Sequence, residues 1–305
     1  MTAVPQPGPL SSGATPAQWL EGARPRTWPA AISPVLAGSG AAFLAAGFSW
    51  PRAVLALVVS LALQIGVNYA NDYSDGVRGT DAKRIGPLRL VGSGLARPAT
   101  VKAAAFACFG VAGVAGLVLV VLSAQWWLLA VGVASVAAAW FYTGGQRPYG
   151  YAGLGELFVF VFFGLIATCG TKLVQVGRIT LPSVFSAVAL GAICCAILVA
   201  NNLRDIEGDT AAGKRTLATR LGDRGTRFFY AGLLRLALVA VVFMAAISTP
   251  WALLGLIVVP VIAPAAVRVQ RGAVGRDLIA VLKATGTAEL ALAVGLTVGF
   301  VIATR

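Results

Sequence analysis

Asn68-Tyr-Ala-Asn-Asp72-Tyr-Ser-Asp75-Gly-Val-Arg78-Gly-Thr-Asp81 closes a long apolar run, Ala53 to Val67, and turns the chain abruptly polar. Asn68, Asp72 and Asp75 stand at i, i+4 and i+7, within roughly 60° of one another on a helix. Gly76 and Gly79 then signal the end of that helix, which puts Asp81 in a loop folding back. An amide and up to three carboxylates are thus expected at the mouth of an apolar helix. Such a group repels itself unless a cation sits in it. Mg²⁺ suits hard oxygen ligands and often bridges one or two carboxylates to phosphates.

A second copy follows about 130 residues later as Asn201-Asn-Leu-Arg204-Asp205-Ile-Glu207-Gly-Asp209. Asn201, Asp205 and Asp209 stand at i, i+4 and i+8, again on one helical face. This copy closes the apolar run Val184–Ala200 and leads into a basic loop with Lys214 and Arg215. One such cluster is ordinarily a helix cap or a solvated terminus. Two of the same pattern, each ending a membrane-like segment, point to a shared purpose.

Composition fixes the setting. The chain has 305 residues, 58% hydrophobic and 11% charged, against roughly 25% charged in soluble domains. It reads as an all-α integral membrane protein, with about nine spans near 28–47, 51–71, 101–122, 125–143, 154–175, 181–202, 228–248, 251–268 and 284–303. Residues 1–22 are rich in Pro, Gly, Ser and Ala and read as a disordered tail, leaving 23–305 as a single membrane domain. The net charge of +13 does not indicate nucleic acid, because the basic residues lie in loops between apolar segments. Nineteen of the 24 Lys and Arg lie on the side of the long connections. Arg52, Lys172, Arg178 and Arg305 lie on the other, and Arg235 lies in a span. The positive-inside rule then places the long loops, the N-terminus and both acidic clusters in the cytoplasm, with the protein in the cell membrane. There is no histidine, so any metal must be held by oxygen. Cys108, Cys169, Cys194 and Cys195 form no CxxC and suggest neither zinc nor a disulfide framework. No GxxxxGK[ST] is present, which argues against a P-loop ATPase.

If the two acidic faces meet across a bundle, Asp72, Asp75, Asp81, Asp205 and Asp209 converge, with Glu207 as a further candidate. Bare, they would be costly beside a membrane. One or two Mg²⁺ with a diphosphate resolve the charge. Asn68 and Asn201 lie on the same faces, and Arg78, Lys83, Arg89, Lys214 and Arg215 can take the remaining phosphate charge. A diphosphate at the cytoplasmic end of a bundle suggests a lipid diphosphate with its tail among the helices in the bilayer. An allylic one would ionise to a carbocation, which a dry pocket shields and aromatic faces stabilise. Trp140-Phe141-Tyr142 sits at the matching end of the fourth span; the first two serve equally as interfacial belt residues. A cation-coupled transporter is the competing class. Against it, the acids sit at helix ends beside basic loops, not in broken helices at mid-membrane. Glu289 is the only acid well inside a span.

These residues resemble the UbiA superfamily of intramembrane prenyltransferases, whose two aspartate motifs read here as Asn68/Asp72/Asp75 and Asp205/Asp209. The resemblance covers nearly the whole chain. It implies a UbiA-type bundle with cytoplasmic cap loops, Mg²⁺ as cofactor, and a polyprenyl diphosphate and an aromatic acid as substrates. Within the superfamily the chain is similar to the branch that prenylates 1,4-dihydroxy-2-naphthoate in menaquinone synthesis, most like actinobacterial members. Ala23-Arg-Pro-Arg-Thr-Trp28, Tyr142-Thr-Gly-Gly with Tyr149-Gly-Tyr-Ala-Gly-Leu-Gly-Glu156, and Gly213-Lys-Arg-Thr-Leu217 carry that likeness. It implies that Asp72, Asp75, Asp205, Asp209, Tyr142 and Glu156 are catalytic, and that Arg24, Arg26, Tyr142, Arg147 and Glu156 hold the aromatic acid. Glu156 would take a ring-hydroxyl proton, or else serve only as a helix N-terminal acid. Gly79 stands where some members of the ubiquinone branch carry an acid, which leaves Asp81 less secure as a ligand. The chemistry of the acids alone leaves 4-hydroxybenzoate, homogentisate and a phosphorylated sugar open as acceptors.

Overall fold

The computed structural model describes residues 13–79 and 88–305. The helices are α1 (Pro16–Gly22), α2 (Pro29–Leu44), α3 (Trp50–Arg78), α4 (Pro98–Ser123), α5 (Leu128–Phe141), α6 (Gly155–Val176), α7 (Leu181–Ala211), α8 (Leu217–Ile247), α9 (Pro250–Gln270) and α10 (Arg276–Ile302). Each expected span corresponds to one of α2 to α10. Seven of them, α3, α4 and α6 to α10, are long and apolar enough to cross a membrane. The 16 residues of α2 and the 14 of α5 rise about 24 and 21 Å, short of a hydrocarbon core of about 30 Å. The expectation of nine full spans is therefore met by length in seven.

The helices overrun their apolar stretches at the end that carries the acids. The polar residues that follow Val67 continue the 3.6-residue period, so α3 keeps an inward face of Gln64, Asn68, Asp72 and Asp75, all buried. It stops at Arg78 because Gly79 takes φ 71°, a left-handed C-cap that suits glycine. Likewise α7 runs from the Thr180/Ser183 capping box through both aspartates of the second motif to Ala211. Part of the expected disordered tail is ordered. Thr15 and Gln18 form a capping box for α1, and the Tyr69 hydroxyl donates to Trp19 O at 2.9 Å, docking that helix on α3.

Packing centres on α7, whose most apolar window is 72% buried, against 33–50% for the other spans. It lies along α8, α6, α2 and α10, while α3 and α4 pair at the other side. Where α6 crosses α7, a Cβ on Gly164 would stand 2.7 Å from Gly191 Cα. The backbones approach that closely only without side chains, and α6 takes a π turn over Phe160–Ile166 at this contact. Val111, Val114, Leu117, Val121 and Val133 face outward on α4 and α5, as lipid-facing side chains do.

Candidate active site

The first acidic motif is clamped from above by a short segment. Leu90 N and Val91 N donate to the two Asp72 oxygens at 2.7 and 3.1 Å, and Arg89 Nη2 stands 3.3 Å from Asp75 Oδ2. Leu90 is fully buried and Asp72 only 1% exposed. The segment sits this close because residue 76 is glycine: a Cβ there would stand 2.4 Å from Val91 Cγ1. From the side, Asn68 Nδ2 donates to Ala23 O and to Thr27 Oγ1, both at 3.0 Å, and Gln64 Nε2 donates to the same hydroxyl at 2.8 Å. This brings the Ala23–Trp28 stretch against the motif. Arg24 there holds a left-handed φ of 54°. It is half-buried, whereas Arg26 is exposed.

At the second motif Arg204 pairs with Asp205 at 2.7 Å and also donates to Asn201 Oδ1 at 2.9 Å. Lys214 Nζ lies 3.5 Å from Asp209 Oδ1. Arg204 was not among the expected site residues. Its place beside Asp205 in sequence was visible, but not that it would curl back to that carboxylate.

The two motifs meet through the turn Tyr149–Ala152. The Tyr151 hydroxyl donates to Asp75 Oδ1 at 2.5 Å. The Lys214 ammonium lies 4.4 Å from the centre of the Tyr151 ring, and the Arg78 guanidinium 5.6 Å. Arg215 N donates to Tyr151 O at 2.9 Å and Arg220 to Ala152 O at 2.8 Å. Arg78 also donates to Thr143 O and Gly145 O, and the Thr143 hydroxyl to Asn71 Oδ1 at 2.7 Å. Burial first, and then the Asp75 charge, push the Tyr151 hydroxyl above the ordinary tyrosine range, so it remains a donor. Tyr151 lies within the quoted Tyr149–Glu156 block, yet no spacing argument singled it out.

Tyr142 and Glu156 share a corner. A Cβ on Gly155 would stand 3.6 Å from the Tyr142 hydroxyl, so that hydroxyl lies near the start of α6, the helix that carries Glu156. Glu156 is 6% exposed and accepts from Asn202 Nδ2 of α7 at 2.9 Å. Arg147 is exposed. Trp140 packs on Tyr73 and Phe106, away from the acidic face of α3, and Phe141 is 51% exposed. Both are packing or boundary residues here.

Convergence is incomplete. Among the described residues no three of His, Cys, Asp and Glu come close enough to hold a metal ion; Asp81 and Lys83 lie outside the described residues. Asp72 is held by backbone amides, and Asp75, Asp205 and Asp209 each face a cation. The donor set is nonetheless all carboxylate and amide oxygen, which fits a hard cation such as Mg²⁺.

An apolar, multi-helix bundle with matched acids and bases at one end is a membrane protein suited to an anion such as a diphosphate. Comparison with known proteins narrows that class. The sequence profile of the UbiA prenyltransferase family matches residues 31–302, and the chain belongs to that family. It is 54% identical over 286 residues to 1,4-dihydroxy-2-naphthoate octaprenyltransferase of Mycobacterium tuberculosis, covering 93% of this chain and 97% of the relative. The Escherichia coli protein of the same name is 36% identical, covering 83% and 85%. The fold is shared with an apo UbiA homolog from Aeropyrum pernix K1, at TM-score 0.68 and 16% identity over 90% of this chain and 97% of that one. It is also shared with a UbiA homolog from Archaeoglobus fulgidus bound to GPP and Mg²⁺, at TM-score 0.65 and 12% identity over 93% and 99%.

Proposed function

We propose that this protein transfers a polyprenyl group from an allylic polyprenyl diphosphate to 1,4-dihydroxy-2-naphthoate, with loss of the carboxylate, in menaquinone biosynthesis. The observation that carries the reading is the 54% identity to a naphthoate prenyltransferase along nearly the full length of both chains. The two acid–base clusters at one end of the bundle support it.

Asp72, Asp75, Asp205 and Asp209, with Asp81, are the residues that would hold magnesium. Magnesium, when bound, screens the charge of the departing pyrophosphate. The chain's own cations do the rest. Arg89, Arg204 and Lys214 now face carboxylates and can turn to phosphate oxygens instead, and Arg78 and Arg215 flank them. The diphosphate end is held at the polar clusters while the tail lies in the apolar bundle, where little water can trap the allylic cation.

Glu156, oriented by Asn202, takes the proton of a ring hydroxyl as that oxygen pushes an electron pair into the ring. The ring forms the new carbon–carbon bond. The carboxylate on that same ring carbon leaves as carbon dioxide, and its bonding pair restores aromaticity as the ring oxygen takes back the proton from Glu156. The product is at the quinol level, the reduced form of demethylmenaquinone. Tyr142, near the start of α6, would orient the acceptor, and Arg24, half-buried on the Asn68 side, would take its carboxylate. Arg26 and Arg147, both exposed, have weaker support in that role.

On this reading residues 23–305 form one domain in the cell membrane, with the acidic motifs and the long basic loops cytoplasmic. The test is pyrophosphate release by purified protein with Mg²⁺, a long-chain allylic diphosphate, and either 1,4-dihydroxy-2-naphthoate or 4-hydroxybenzoate. Turnover with the naphthoate alone is expected. Turnover with the benzoate alone would overturn the acceptor and keep the rest.

A further inference from the structure

We infer that Tyr151 is a positioning residue that couples the two acidic motifs, so that the first is set only when the second is in place. This rests on the proposed role of those motifs in holding a metal diphosphate.

The argument is one of connectivity. Asp75 belongs to α3 and Asp209 to α7, and they are separated by more than 130 residues of sequence. A path between them runs through two side chains, Tyr151 and Lys214. The Tyr151 hydroxyl holds Asp75 at 2.5 Å. The Tyr151 ring lies under the Lys214 ammonium at 4.4 Å, and Lys214 reaches Asp209 at 3.5 Å. The residue uses both of its chemical characters at once: an O–H donor toward a carboxylate, and a π face toward an ammonium. Its backbone adds a third tie, because Tyr151 O accepts from Arg215 N at 2.9 Å. Together these fix the basic Lys214–Arg215 loop against the turn that holds Asp75.

The nearby Tyr149 directs its hydroxyl to backbone, to Ala138 O at 2.8 Å. Tyr151 instead spends its hydroxyl on an acid that the metal reading needs. A hydrogen bond to one Asp75 oxygen orients the carboxylate and leaves lone pairs for another partner. The ring holds Lys214 between Asp209 and the space where a diphosphate would lie. Loss of the hydroxyl should loosen Asp75 alone. Loss of the ring should loosen Lys214 as well. The two effects separate by ligand: the first weakens metal dependence, the second weakens the diphosphate contact.

The test is Mg²⁺-dependent binding of an unreactive probe, the S-thiolo analogue of geranylgeranyl diphosphate, to the full chain in detergent without acceptor. Tyr151→Phe should raise the Mg²⁺ concentration for half-maximal binding by about tenfold or more, the value of one charge-assisted hydrogen bond, and leave the acceptor KM unchanged. Tyr151→Ala should further weaken probe affinity at saturating Mg²⁺. In an Asp75→Asn background, Tyr151→Phe should cost nothing more, because the hydroxyl acts through Asp75. If Asp75→Asn and Asp209→Asn keep wild-type Mg²⁺ dependence, the metal reading of the motifs fails. If they lose it while Tyr151→Phe matches wild type, or if Tyr151→Phe adds its full effect on top of Asp75→Asn, the coupling through Tyr151 is refuted.

Discussion

Asp72 and Asp205 occupy equivalent places in the two motifs, yet the structure predicts different outcomes for Asp72→Asn and Asp205→Asn. Asp72 is 1% exposed, and each of its oxygens accepts a backbone N–H, from Leu90 at 2.7 Å and from Val91 at 3.1 Å. An asparagine keeps one acceptor and turns an NH₂ toward the other N–H. One charge-assisted bond, worth about 1.5–3 kcal/mol, is lost, and a buried donor is left unmet at about 1–3 kcal/mol. The seating of the Arg89–Val91 segment should weaken by about 2.5–6 kcal/mol, or roughly 10²- to 10⁴-fold more opening. Asp205 instead pairs with Arg204, its neighbour in sequence, on side chains 17% and 8% exposed, and accepts neither of those two amides. Limited trypsin digestion reads this directly. The Arg89–Leu90 bond is buried when seated, and cleavage there follows the open population when opening is fast. Asp72→Asn should be cut after Arg89 at least tens of times faster than wild type, and faster than Asp205→Asn, which leaves both amides their acceptors. Both variants should lose prenyl transfer. Wild-type protection at Arg89 in Asp72→Asn would refute the anchoring argument.

Other substitutions probe the rest of the site. Gly76→Val should reproduce the loosened segment without touching any acid, because its Cβ alone would stand 2.4 Å from Val91 Cγ1; trypsin sensitivity at Arg89 with all acids intact is the readout. Glu156→Gln should lower kcat by about 10²-fold or more if the carboxyl takes the hydroxyl proton, and unchanged kcat would confine it to a helix N-terminal role. Asn202→Ala removes the 2.9 Å donor to Glu156 and should reduce kcat with the naphthoate while leaving the diphosphate KM alone. Chelation with EDTA should abolish turnover and added Mg²⁺ restore it; turnover that survives chelation would discard the metal.

Much of this was legible in the sequence because membrane insertion leaves strong marks. The apolar runs, the basic side and both aspartate motifs follow from period and charge. The sequence could not show how far the helices outrun the apolar stretches, since the polar residues after Val67 and Ala200 keep helical spacing while hydropathy falls. It could not show that α2 and α5 run for only 16 and 14 residues, because their apolar composition continues into the connections. The anchoring of Asp72 escaped for another reason. Its partners are backbone amides of Leu90 and Val91, and a backbone donor has no signature in residue identity. Tyr151 escaped because its contacts join three segments that are distant in sequence.

The compensation of the acids bears on how the site would fill. Several carboxylates gathered at a membrane face without counter-charge would raise one another's protonation and push the helix ends apart. In this structure each is met by a donor of the same chain: backbone amides on Asp72, Arg89 and Tyr151 on Asp75, Arg204 on Asp205, and Lys214 on Asp209. On the proposed reading, arrival of a metal diphosphate is then an exchange. Asp75, Asp205 and Asp209 would give to the metal the oxygens that Arg and Lys now hold, and the released cations would take phosphate oxygens. Ion pairs are broken and made in similar number, so the charge cost is small and the gain falls on the phosphate side, where charge grows as the allylic bond breaks. The basic residues therefore matter twice, first holding the acids apart and then holding the leaving group. Replacing Arg89 or Lys214 by a neutral residue should weaken binding of the metal diphosphate and also lower the stability of the ligand-free protein, two effects that a residue serving phosphate alone would not combine.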